Sequence, residues 1–109
     1  FSVSSVDIKL PKIYSIEGRS NAVFKYFIKF SENLLKNNIY YNIIKIEENS
    51  RRSLTIKLSS NIIIYLGSDD INNKIDTFFK AYNSLNSSDL TKIRYIDMRY
   101  SNGFAVGWK

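Results

Sequence analysis

Ile93-Arg94-Tyr95-Ile96-Asp97-Met98-Arg99-Tyr100 and Phe104-Ala105-Val106-Gly107-Trp108 are two alternating runs joined by Ser101-Asn102-Gly103. β-Branched and aromatic residues recur at period two in both, the pattern of a strand with unlike faces. Asn-Gly between such runs favours positive φ and is the strongest short-range signal for a hairpin. The expectation is a strand over 93–100, a turn at Asn102-Gly103 and a return strand over 104–108. On the return strand Phe104, Val106 and Trp108 share one face, Ala105 and Gly107 the other. A last strand of this kind is expected at the sheet edge. Free N–H and C=O groups beside Tyr100 and Trp108 then suit strand addition by a partner. The competing reading packs Phe104, Val106 and Trp108 into the core, since apolar alternation is ordinary core patterning.

Upstream, Ile71, Ile75, Phe78, Phe79, Tyr82 and Leu85 fall on one helical stripe. Ser68 or Asp69 is expected to cap this helix, with Asp69 and Asp70 in its positive first turn. Asn86 to Asp89 reads as loop. Val23, Phe27, Phe30 and Leu34 mark an earlier helix over 21–37, with Ser20 its expected N-cap and Phe24, Ile28 and Leu35 widening the stripe. Between the helices lie three strand patterns, 40–47, 54–58 and 62–66. In the first, alternation puts Tyr41, Ile43 and Lys45 on one face and Asn42, Ile44 and Ile46 on the other. Val6 to Leu10 alternates as a further strand, stopped or placed at an edge by Pro11. The order is strand, helix, three strands, helix, two strands. It predicts an α+β fold: a mainly antiparallel sheet, two helices packed on one face, and the C-terminal hairpin at the sheet edge.

The chain has 109 residues, enough for one domain and crowded for two, so 1–109 is expected to be a single unit. It has no His and no Cys. That excludes Ser-His-Asp and Cys-His catalysis, the usual zinc sites, and haem or iron–sulfur ligation. The adjacent acids Glu47-Glu48 and Asp69-Asp70 do not form a catalytic pair, because neighbours in a strand point to opposite faces and Asp69-Asp70 belongs to a helix start. No enzyme, cofactor or metal is expected. A net charge of +6 points to solubility, or to nucleic acid, an anionic membrane surface or an acidic partner. The interleaved Arg94-Tyr95 and Arg99-Tyr100 keep a basic nucleic-acid-binding module as the alternative function, though no RNA-binding string accompanies them. No apolar run reaches the length of a membrane span. The absence of an initial Met and of an export signal is expected of a piece of something longer.

The hairpin with its approach, Ile93 through Trp108, closely resembles the closing motif of the FtsQ/DivIB cell-division proteins, roughly I-x-x-[IV]-D-[LM]-R-Y-x-x-G-x-A-V-x-W. Leu66-Gly67 with the following Lys74 and Phe78-Phe79, and Leu10-Pro11 near the start, are similar to further segments of that family. The resemblance implies the β domain that follows a short tail, one membrane span and a POTRA domain, none of which this chain contains. It implies a non-catalytic divisome module on the periplasmic side of the inner membrane at the septum. The implied partners are FtsB and FtsL, with FtsB adding a strand to the last strand, and no nucleic acid. Carried over by position, Tyr100, Asn102, Gly103 and Trp108 fall where the family meets its partner, with Arg99 beside them. Arg51 falls at a position that pairs a partner acid, with Arg52 its competitor. Ala81 and Tyr82 match a further contact region.

Overall fold

The computed structural model describes residues 11–100 and 103–109. They form a six-stranded sheet in which spatial and chain order coincide. The strands are β1 (Lys12–Tyr14), β2 (Ile43–Glu48), β3 (Leu54–Leu58), β4 (Ile63–Gly67), β5 (Ile93–Asp97) and β6 (Ala105–Trp108). Helix α1 (Ser20–Lys36) joins β1 to β2; α2 (Ile71–Ser84) and the single turn α3 (Ser87–Leu90) join β4 to β5. The pairs β2–β3, β3–β4 and β5–β6 are antiparallel, β1–β2 and β4–β5 parallel. The expected α+β architecture is present, with each helix serving as a crossover between parallel neighbours. Crossovers of this kind are right-handed as a rule. Both step the same way across the sheet between strands pointing the same way, so handedness puts both helices on one face.

That face is the core. Ile46, Ile56, Ile64 and Ile96 stand in register across β2 to β5, and all four are completely buried. Val106 of β6 extends the row, half-buried. Val23, Phe30 and Leu34 of α1 and Ile71, Ile75 and Phe78 of α2 cover it. The helices meet through rings: Phe30 lies 5.3 Å from Phe78 and 4.9 Å from Phe79, centroid to centroid. Each fully buried aliphatic or aromatic side chain here contributes about 1.5–3 kcal/mol.

Several local expectations are corrected. In β2 the register shifts between Ile43 and Lys45, so Ile43 and Ile46 both face the core. The bulge inserts one residue and defeats strict alternation. The expected strand over 6–10 lies outside the described residues; β1 begins directly after Pro11. Ser20 is the first helical residue of α1, and the N-cap is Arg19. Its side chain makes no cap hydrogen bond but donates through Nε and Nη2 to the two carboxylate oxygens of Glu48, at 2.8 and 2.9 Å. Glu48 is buried and needs such a partner; the bidentate pair holds the Arg19 pKa above its usual value. Glu47 points the other way, to Lys45 at 3.3 Å, so the two acids diverge as expected. Asp70 caps α2 in the left-handed region, φ 53°. A turn of helix, α3, occupies the expected loop after Asn86. The closing strands are shorter than expected and residues 98–104 join them. Asn102 of the expected turn lies outside the described residues.

Candidate functional site

β6 is the last strand in space as well as in sequence. Among the described residues it pairs on one side only, with β5. Its register with β5 shifts between Ile93 and Tyr95, leaving Arg94 as the extra residue, exposed. Trp108 stands opposite Ile93 and Val106 opposite Ile96. The expected common face of Phe104, Val106 and Trp108 divides: Val106 packs against the core, while Phe104 and Trp108 are 41% and 49% exposed. Tyr100 is 59% exposed. An open strand edge thus lies between two accessible rings, one before the strand and one at its end.

The segment before β6 is held from several directions. The Arg99 backbone N–H and Nε both donate to Asp97 Oδ1, at 3.0 and 2.9 Å, and Nη2 donates to Oδ2 at 2.7 Å. The guanidinium lies over the Tyr65 ring, 5.0 Å from its centroid. Hydrogen bonds from Arg99 hold the Asp97 carboxyl below the usual range, and the carboxylate in turn raises Arg99. Gly67 makes this possible. At φ +81° it adopts a conformation that L side chains rarely take, and a Cβ there would lie 3.1 Å from Arg99 Cγ and 3.4 Å from Lys74 Nζ. Lys74, Arg99, Tyr100 and Gly103 line a cleft of about 250 Å³ between the first turns of α2 and this segment.

On the face away from the helices, Tyr65 and Tyr95 meet edge to face at 5.8 Å. The Tyr95 ring lies directly over Gly107, where any Cβ would overlap it. An aromatic ring over a strand glycine restores cross-strand packing that glycine alone lacks. Gly107 read from alternation as a small edge residue is therefore the floor under a ring. Gly67, Tyr65 and Tyr95 were not among the expected site residues. Their signal was present only as Leu66-Gly67 ahead of a helix and as tyrosines at alternate positions.

The remaining expected residues are dispersed. Arg51 and Arg52 are exposed in the turn between β2 and β3, which Asn49 closes by accepting from the N–H groups of Arg51 and Ser53. This turn is at the same end of the sheet as Arg99 and Tyr100, but β4 and β5 intervene before β6. Ala81 and Tyr82 are buried, at 7% and 6% exposed. Tyr82 sits 5.7 Å from Phe78, and burial pushes its hydroxyl pKa up. Their side chains lie on the inward side of α2. Among the described residues no three His, Cys, Asp or Glu converge as metal ligands, and no helix is long and apolar enough to cross a membrane.

The fold and this end of it define an α+β module with an open strand edge flanked by aromatic side chains. The family model for "Cell division protein FtsQ/DivIB, C-terminal" matches residues 1–99, and the chain belongs to that family. The cell division protein FtsQ of Escherichia coli K12 is 30% identical over 102 residues, covering 91% of this chain and 36% of that protein. FtsQ of Vibrio cholerae is 29% identical over 106 residues, covering 97% and 40%, and that of Haemophilus influenzae 32% over 98, covering 90% and 38%. The chain thus spans well under half the length of these relatives. Each of these relatives is named as a cell division protein.

Proposed function

We propose that this chain is a non-catalytic interaction module of the divisome that binds an FtsB/FtsL pair at the septum by accepting a partner strand along β6. It belongs to a protein anchored in the inner membrane, with this module on the periplasmic side. The observation that carries the reading is the open edge of β6 between the exposed Tyr100 and Trp108. Main-chain hydrogen bonds along such an edge supply affinity, and flanking aromatics supply anchors. Arg51 and Arg52 are the cations available to an acidic segment that turns across the end of the sheet. Arg99, exposed beside Tyr100, is available to a partner acid, and its bonds to Asp97 also fix the backbone that presents Tyr100 and Gly103.

Hydrogen exchange tests the proposal. With the acidic C-terminal segment of an FtsB partner added, the amides of residues 105–108 should gain protection while those of β2 and β3 stay unchanged. Binding without protection of β6 refutes strand addition.

A further inference from the structure

The sheet has a second face, away from the helices, and the register places three lysines in one line across it. Lys12 of β1 stands opposite Lys45 of β2, and Lys45 opposite Lys57 of β3. Ile63 and Tyr95 continue the same line over β4 and β5. Like charges directly opposite on neighbouring strands repel and destabilise a sheet. One compensation is visible: Lys45 Nζ lies 3.3 Å from Glu47 and 5.4 Å from the Tyr14 ring centroid. Among the described residues Lys12 and Lys57 make no ion pair. A row of three cations ending in an apolar pair is a costly arrangement for a bare face and a complementary one for a matching anion.

Spacing selects the anion. Adjacent strands are about 4.8 Å apart, so the cationic positions repeat at that interval at right angles to the strands. Residues three and four apart on a helix repeat at about 5–6 Å. We propose that this face binds an acidic α-helical segment of a partner protein, laid across β1 to β3. Its carboxylates at i, i+4 and i+7 meet Lys12, Lys45 and Lys57, and an apolar residue at its end meets Ile63 and Tyr95. An anionic lipid surface fits less well, because a flat headgroup plane would also cover Glu47, a carboxylate in the next row of the same face. The site is separate from the β6 edge, and its test does not involve that edge.

The probe is a synthetic helical peptide with glutamates on one face, titrated into the isotopically labelled 109-residue chain at low salt and followed by amide chemical shifts. A second peptide has the same composition with glutamates spread around the helix. The one-faced peptide should bind about tenfold or more tightly than its rearranged control, since several weak ion pairs act together only when aligned. Its shifts should centre on Lys45, Lys57 and Ile63. Lys45→Gln/Lys57→Gln should lose that preference with an unchanged or raised Tm, and Lys45→Arg/Lys57→Arg should keep it. Equal binding of both peptides overturns the proposal, as do shifts confined to residues 51–52 or 98–108. Binding of phosphatidylglycerol vesicles without peptide binding overturns it in favour of a membrane surface.

Discussion

Arg99 is exposed and at the same time engaged by the fold. Its guanidinium is engaged by Asp97 and by the Tyr65 ring, and its stem passes over Gly67. Asp97 has its pKa lowered by Arg99, so it contributes stability present above the ordinary carboxylate range and lost as pH falls through its own depressed value. Asp97→Asn should lower Tm at neutral pH, and the difference from the parent should shrink on acidification below roughly pH 4. A difference independent of pH, measured by thermal melts, would remove the charge from the account. Tyr100 and Trp108 are exposed as Arg99 is, and offer rings rather than charge. Tyr100→Ala should cost about 2 kcal/mol or more of partner binding with little change in Tm, as anchoring aromatics do. Trp108 also stands opposite Ile93 and is half-exposed, so Trp108→Ala should lower both binding and Tm. Unfolding by Tyr100→Ala, with full binding by whatever stays folded, would make Tyr100 a packing residue.

At the level of elements, β6 depends on β5 in two ways. The inward one is Val106 against Ile96; the outward one is the Tyr95 ring over Gly107. Gly107→Val would displace the ring, and forced repacking of this kind costs about 1–3 kcal/mol. Paired with Tyr95→Ala, which leaves room for the new side chain, most of that loss should be recovered; a simple sum of the two effects in urea melts would refute the contact. Proline separates the two edges of β6. N–H groups of neighbouring residues alternate between the paired and the open side, so of Ala105→Pro and Val106→Pro one removes a bond to β5 and the other an open donor. One variant should therefore lose stability, and the other should keep its Tm and bind the partner strand poorly. Full binding by both folded variants would exclude docking along β6. The position of this strand was legible in the sequence, because Asn102-Gly103 between alternating runs points to a hairpin and a last hairpin tends to an edge. Its detail was not. The extra residues at Ile44 and Arg94 shift which side chains face inward, and only pairing with a neighbour reveals them. The burial of Tyr82 was legible from the helical stripe that runs through it; that of Ala81, which lies off the stripe as read, was not.

The described residues form a sheet whose helices occupy one face, with the other face, one end and the β6 edge as the surfaces considered for recognition. Periodicity recovered α1, α2 and the strands β2 to β6, and hence the fold class, while β1 after Pro11 and the single turn α3 carried no such signal. Strand direction has no periodic signature, so the parallel β1–β2 and β4–β5 pairs emerge only from the topology. That topology sets where charge can act. Arg51 and Arg52 stand at the same end as Tyr100 with β4 and β5 between their turn and β6, a distance of about three strand spacings, roughly 15 Å. A peptide lying only along β6 cannot reach them. One that turns across the end of the sheet meets them as exposed cations, where an ion pair is worth about 0–1 kcal/mol. Arg51→Glu with Arg52→Glu should therefore weaken partner binding by no more than about tenfold, less than Tyr100→Ala, and a compensating acid-to-Lys change in the partner should restore part of it. The same geometry predicts the salt response of the molecule as a whole. With main-chain bonds and aromatic anchors dominant, affinity should fall less than about tenfold between roughly 50 and 200 mM salt, where a protein making many phosphate contacts loses about 10³–10⁵. A steep loss over that range, unaffected by either proline in β6, would make the net charge of +6 the binding determinant and favour nucleic acid over a partner strand.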